Sequence, residues 1–219
     1  LLAKALPTTA WLNRNGLIRD HLHGGDPGVY DLFLHSRDRA YTVPQIADWV
    51  AGAGMRLVTF IEPFLYDPNW LVRDPRVLKR LEGLDPIARA SFAELFTGNI
   101  KKHIFYAVRS SNDVTPPNTD SPDAIPVLLN QSAEEAGQQM PAGGTITVSI
   151  DGMKVNMMVP ALARMIIGLC DGNRTLAEIH KAVQEKRSEI DYDTFKGQFD
   201  ALYRVMNGIN KLMLRLPTA

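Results

Sequence analysis

The pattern of apolar and polar positions is clearest in residues 34–63, LHSRDRAYTVPQIADWVAGAGMRLVTFIEP. Thr42 is a suitable helix N-cap, and Gln45 lies three residues later, as a capping box requires. Gly52 and Gly54 supply the backbone freedom that ends a helix. The apolar residues that recur at helical spacing after the cap, and so predict one buried face, are Ile46, Trp49, Val50 and Ala53.

The next apolar run, residues 57–61, shows no polar alternation. A β-prone run of this kind is typical of a strand that is covered on both faces, and Pro63 closes it. A strand covered on both faces needs helices above and below a sheet. The pattern therefore predicts a layered α/β domain.

The chain continues with short helices broken by turns at two Asp-Pro pairs, followed by a helix that begins at the N-cap Asp85 and ends at Gly98. Residues 101–109, KKHIFYAVR, predict a second strand. Upstream, residues 1–6 predict a helix, and GGDPG at 24–28 predicts a turn that opens no helix. The apolar stripe expected on the helix after Asp85 consists of Phe92, Leu95 and Phe96.

Composition changes abruptly at SSNDVTPPNTDSPD, residues 110–123, which consists mostly of turn formers and cannot pack a core. We interpret this stretch as a linker. The predicted division of the chain is a first segment, 1–109, the linker, and a second segment, 124–219.

In the second segment, TITVSI and KVNMMV flank Asp151-Gly152, a pair that favours a tight turn, so a β-hairpin is expected at 145–159. A final strand is expected at 212–216. Strands and three helices in about ninety residues are the usual scale of a winged-helix domain. The three helices are expected at 160–170, 176–187 and 194–209.

Charge and cysteine content narrow the function classes. Lys plus Arg and Asp plus Glu each number 24, so no global field draws the chain to nucleic acid or to an anionic membrane. No apolar run is long enough to span a bilayer. The single Cys170 rules out an internal disulfide and fits a reducing cytoplasm. The first residue is Leu, which suggests a fragment or a processed product.

DNA binding through residues 194–209 is a weak alternative, since the basic side chains near that helix, Lys196, Arg204 and Lys211, are balanced by Asp193 and Asp200.

LHSRDRAYTVPQIADWVAGAGMRLVTFIEP followed by ARASFAELFTGNIKKHIFYAVR resembles the C-terminal part of bacterial class I S-adenosylmethionine-dependent methyltransferases. The match covers about residues 30–109. That family's fold ends with a helix, a sixth strand, and a seventh strand inserted antiparallel beside it. The resemblance implies that residues 57–61 and 103–108 are those two terminal strands.

The family's cofactor site requires a glycine-rich turn after the first strand and an acidic residue at the end of the second. Neither can be placed in this sequence, and the glycines do not form a G-x-G-x-x-G arrangement. The resemblance therefore implies the substrate-side or regulatory portion of a methyltransferase that is inactive alone. S-adenosylmethionine would be the cofactor of the full-length protein, with no cofactor-binding residues in this chain and an upstream methyltransferase half as its partner.

MIIGLCDGNRTLAEIHKAV, residues 165–183, is similar to small winged-helix domains related to the pyrroloquinoline quinone biosynthesis protein D, which recognise leader peptides. The resemblance leaves a peptide- or partner-binding module as the alternative function. In that alternative the winged helix captures an extended peptide on its hairpin edge by strand addition. A peptide or protein substrate and a homodimer are further partners to consider.

The candidate substrate-binding residues are His35, Arg37, Arg39 and Tyr41, which precede the capped helix. In a complete enzyme they would orient a substrate carboxylate or supply a general base. A salt-bridged loop packed on the sheet is the alternative. No residue can be assigned as catalytic.

Other candidates have simpler interpretations. His21 and His23 have the H-x-H spacing of metal ligands but no third ligand nearby, so an exposed loop is expected and no metal site is assigned. His103 is expected to be a hydrogen-bonded core or edge histidine, and Cys170 a small buried apolar residue. Trp11, Trp49 and Trp70 are expected to be buried.

Overall fold

A computed structural model describes residues 20–150 and 153–217, and the expected helix at 1–6 and Trp11 lie outside that range. Within it the fold is mixed α+β, and the strands form three two-stranded antiparallel sheets. No larger sheet occurs in this part of the chain. The layered sheet expected from residues 57–61 is therefore not seen, and of the strand there only Phe60 is buried.

The first described residues, 20–34, form two helices. Helix α1, Asp20–His23, bends at Gly24 into α2, Gly25–Leu34. The prediction that GGDPG opens no helix was wrong, because Gly25 at φ +61° redirects the chain and helix α2 starts there.

Helix α3, Val43–Gly52, has the predicted cap: the Thr42 backbone N–H donates to Gln45 Oε1 over 2.9 Å. Val43, Ile46 and Val50 are buried, as a core-facing stripe requires. The expectation for Trp49 was wrong, since this side chain is 65% exposed.

Strands β1, Met55–Phe60, and β2, Phe105–Arg109, pair antiparallel as predicted. The register runs from Met55 opposite Arg109 to Phe60 opposite Phe105, and a bulge interrupts β1 between Leu57 and Thr59. Helix α3 packs on β1.

The connection between β1 and β2 consists of short helical pieces that begin at Asp-Pro or Glu-Pro steps, in agreement with the turn pattern. Asp67, Asp74 and Asp85 each accept a hydrogen bond from a backbone N–H of the helix that follows. The pieces are a 3₁₀ helix, Pro63–Tyr66, and helices α4, Pro68–Leu71, α5, Pro75–Leu81, and α6, Pro86–Thr97.

Helix α6 ends at Gly98, as predicted, with φ +58°. Its buried residues are Ala90 and Ala93, whereas Leu95 and Phe96 are 73% and 58% exposed. The expected apolar stripe was therefore wrong in these two residues. The helix uses its small side chains to approach α3 and the 3₁₀ helix closely.

The second segment contains the predicted hairpin and helices. The hairpin pairs Gly144 with Val159 through to Ile150 with Met153, while the turn residues 151 and 152 lie outside the described range. Helix α9 has the predicted capping box of Thr175 and Glu178. The elements are β4, Gly144–Ile150, β5, Met153–Val159, α8, Ala163–Ile167, α9, Leu176–Gln184, α10, Tyr192–Gly208, and β6, Leu212–Arg215.

Two elements of the second segment were missed from the sequence, and in the first segment helix α1 replaces the loop that was expected at residues 21–23. Strand β3, Ile125–Leu128, pairs antiparallel with β6, and Pro126 conceals it because proline argues against a strand. Helix α7, Ala133–Gln139, carries a capping box of Ser132 and Glu135 that a scan for the S-x-x-E pattern finds.

The two segments touch where α10 meets the 3₁₀ helix. A Cβ at Gly208 would lie 3.5 Å from Phe64 Cβ and 3.8 Å from Trp70 Nε1. The Arg204 guanidinium lies 4.8 Å from the centre of the Trp70 ring. The division at 110–123 stays a prediction, since contact across a boundary neither proves nor excludes separate folding units.

None of the helices in the described range is both long and apolar enough to cross a lipid bilayer.

Candidate functional site

A cavity of about 490 Å³ lies at the N-terminal end of α3, beside the residues that lead into β2. This volume is within the range of small-molecule sites. Four parts of the chain line it: the loop before α3, helix α3 itself, helix α6 and residues 100–105. The side chains with chemical capacity are Arg39, Tyr41, Trp49, Glu94, Lys102 and His103.

The folding of the first segment explains why these residues meet. Thr42 caps α3 and so fixes where the preceding loop approaches the helix. Antiparallel pairing places Phe105 opposite Phe60, which brings residues 100–105 to the carboxyl end of β1. The close packing of α6 on α3 then places Glu94 at the same end.

A chain of hydrogen bonds forms one wall of this cavity. Glu94 Oε2 accepts from the Val43 backbone N–H over 2.9 Å, and Glu94 Oε1 lies 3.2 Å from His103 Nε2. His103 Nδ1 lies 3.0 Å from the Tyr66 hydroxyl. The Glu94 and His103 side chains are only 14% and 11% exposed, so these polar contacts are largely sheltered from water.

The chemistry of the network follows from its partners. Burial first, then the charges of Glu94 and Glu62, raises the pKa of the Tyr66 hydroxyl, so it stays protonated at neutral pH. The His103 Nε2–H donates to Glu94, and Nδ1 lies within hydrogen-bond distance of the Tyr66 hydroxyl. Both ring nitrogens are then engaged by the protein. His103 therefore links Glu94 of α6 to Tyr66 of the 3₁₀ helix.

The hydrogen-bonded histidine was predicted, but its carboxylate partner was not. Glu94 and His103 are separated by the end of α6 and the loop after it, and no short motif joins them. The sequence does contain one signal, a single Glu in the otherwise uncharged stretch ELFTG shortly before His103.

The mouth of the cavity is aromatic and cationic. The Tyr41 and Trp49 rings lie 6.3 Å apart between centroids and 28° from parallel. The Arg39 guanidinium lies 5.2 Å from the centre of the Tyr41 ring, within cation–π range.

The structure divides the four predicted substrate-binding residues. Arg39 and Tyr41 line the cavity. His35 and Arg37 are exposed in the loop that follows α2 and are not among the lining residues. Neither of these two forms an ion pair within the part of the chain that the structure describes, so the alternative of a salt-bridged loop finds no support there.

Cys170 is 1% exposed, and its thiol donates to the Ile166 carbonyl oxygen. Burial first, and then the charge of Asp171, raises the pKa of the thiol, so it is not a thiolate nucleophile. Within residues 20–150 and 153–217, no three His, Cys, Asp or Glu side chains lie close enough to hold a metal ion together.

No protein-family model matches the chain, and a comparison with curated proteins finds no match.

Proposed function

We propose that this chain is the C-terminal, substrate-side portion of an S-adenosylmethionine-dependent methyltransferase, whose cofactor-binding half is supplied by sequence upstream. The supporting observation is the succession of α3, β1 and β2, in which a helix packs on a strand and the next strand pairs antiparallel with it. The methyltransferases that this sequence resembles end with the same order of elements, a helix followed by two antiparallel strands.

The free edge of β2 supports the proposal. Ile104 accepts a hydrogen bond from Ile61 N–H over 2.8 Å, and the Ser110 N–H donates to Gly54 over 3.0 Å, so both face β1. Backbone groups alternate in direction along a strand, so the N–H groups of Phe105, Ala107 and Arg109 face the other way. No strand pairs with that edge in the described range. An unpaired edge of this kind is suited to a neighbouring strand.

The position of the cavity agrees with this assignment. In open α/β sheets, ligands bind outside the carboxyl ends of the parallel strands. The cavity lies at the carboxyl end of β1, because Phe105 lines it and is paired with Phe60, the last residue of that strand. Within the proposed enzyme, the cavity therefore borders the site where methyl transfer takes place.

The direct test is cofactor binding. We expect the protein encoded by the whole reading frame that contains this chain to bind one S-adenosylmethionine in calorimetry. The 219-residue chain is expected to show no saturable binding, because it contains no cofactor loop. A whole-frame protein that folds and does not bind the cofactor, or a chain that binds it stoichiometrically alone, contradicts the proposal.

A proline in β2 tests the free edge. Ala107→Pro removes an N–H that faces away from β1, and Tyr106→Pro removes one that faces it. We expect the first change to leave the melting temperature of the 219-residue chain within a few degrees and to abolish cofactor binding in the whole-frame protein. The second is expected to destabilise both. Equal effects of the two prolines on the 219-residue chain would mean that the edge is not free.

A further inference from the structure

We infer that the cavity beside α3 binds a planar aromatic carboxylate. The inference names a class of methyl acceptor or effector for the site of the proposed function. Binding of the ligand does not depend on that function, but its methylation does. Two arms of the cavity carry it: a cationic arm for the carboxylate and an aromatic arm for the ring.

The cationic arm consists of Arg39 and Lys102, both exposed side chains at the cavity. Neither forms an ion pair with another described residue. Guanidinium binds a carboxylate through two parallel hydrogen bonds, and a nearby ammonium adds a point charge. Arg39 is held over Tyr41, so part of the ordering that such a pair requires is already present.

The acidic side chains of the cavity do not neutralise the positive charge of Arg39 and Lys102. The Glu94 carboxylate accepts hydrogen bonds from the Val43 N–H and from His103, so both of its oxygens already have partners within the protein. Asp38 is the other acidic lining residue, and Lys101 a third basic one. The lining therefore holds three basic side chains and two acidic ones, a balance that favours an anion.

The aromatic arm consists of Trp49 and Tyr41, which are 65% and 44% exposed. Trp49 stands on the face of α3 that the apolar pattern predicts to be covered, and no described residue buries it. The deeper wall is apolar and contains Ile46, Ile100 and Phe105. A flat ring stacked on Trp49 places its edge against this wall and its carboxylate toward Arg39.

The two arms together exclude simpler ligands. A small inorganic anion leaves the exposed indole and the apolar wall unused, and a neutral ring leaves two cations unpaired. The ligand that uses both arms has a fused or substituted aromatic ring and one carboxylate, a size that the cavity accommodates.

Calorimetry of the 219-residue chain with three matched probes tests the inference. We expect 2-naphthoate to bind with a Kd below about 1 mM, and 2-naphthamide, its neutral analogue, and cyclohexanecarboxylate, its non-aromatic analogue, to bind at least about tenfold more weakly. Equal binding of all three, or no binding of 2-naphthoate, would overturn the inference.

Variants locate the binding. Arg39→Gln and Trp49→Leu are each expected to raise the Kd for 2-naphthoate about tenfold or more. The matched controls are Lys79→Gln and Phe96→Leu, which change an exposed cation and an exposed aromatic residue away from the cavity and should leave the Kd unchanged. If the controls weaken binding as much as the cavity variants do, the probe binds elsewhere and the inference is wrong.

The two proposals fail separately. If the chain binds 2-naphthoate and a folded whole-frame protein does not bind S-adenosylmethionine, the ligand site is supported and the methyltransferase proposal is wrong. If the whole-frame protein binds the cofactor and the chain does not bind 2-naphthoate, the methyltransferase proposal is supported and the aromatic carboxylate is wrong as the ligand class.

Discussion

A polypeptide of residues 124–219 is expected to unfold in one cooperative thermal transition, whereas residues 1–109 alone are expected not to fold stably. Among the described residues, nearly all of the large side chains with less than 2% exposure lie in the second segment; the exceptions are Phe64 and Val43. Helix α10 packs on strand β5 of the hairpin, α8 packs on both α9 and α10, and Phe195 and Phe199 of α10 are fully buried. That is a sufficient core for a segment of this size.

The first segment has a smaller buried core. Its only described sheet is two-stranded, which is marginally stable by itself, and α6 exposes Leu95 and Phe96. Differential scanning calorimetry and sedimentation of the two pieces measure the difference. A monomeric 1–109 polypeptide that melts cooperatively would show that a complete small domain has been interpreted as the end of a larger one.

Glu94→Ala is expected to lower the free energy of unfolding of the 219-residue chain by about 3 kcal/mol. The change leaves the Val43 N–H without its acceptor at the start of α3 and removes the partner of His103 Nε2, both in a sheltered place. The Tyr66 hydroxyl, whose bond to His103 depends on the orientation of the ring, is loosened as well. Chemical denaturation followed by circular dichroism gives the free energy.

Two further variants separate the network from a general loss of charge. Glu94→Gln keeps an acceptor for Val43 and a polar group for His103, so a smaller loss is expected. Glu82→Ala removes an exposed carboxylate and should change stability by less than about 0.5 kcal/mol. A double-mutant cycle of Glu94 with His103 is expected to give a coupling of about 1 kcal/mol or more. If Glu94→Ala costs no more than Glu82→Ala, the hydrogen bonds described here do not stabilise the fold.

Local chemistry made several elements predictable. The caps at Thr42, Asp85 and Thr175 start helices where the sequence indicates, because each side chain or its box partner meets backbone groups three residues away or fewer. The hairpin was predictable for the same reason, since its two paired strands are neighbours in sequence.

Predictions of burial were less successful where a face depends on distant residues. Trp49 and Phe96 have helical apolar spacing but remain exposed, because spacing tells which residues share a face and not whether anything covers it. Half of the predicted substrate-binding set, Arg39 and Tyr41, lines the cavity, because these residues lie next to the capped start of α3, whereas His35 and Arg37 lie earlier in the loop and are exposed.

The sequence by itself determined where the capped helices α3, α6 and α9 begin, which strands form a hairpin, and that no global charge dominates, since each depends on groups within a few residues or on composition. Only the tertiary structure decided that β3 pairs with β6 and that Glu94, His103 and Tyr66 form one network. The physical reason is range: hydrogen bonds between residues far apart in sequence form only after packing has brought their backbones together, and packing depends on the whole set of apolar side chains.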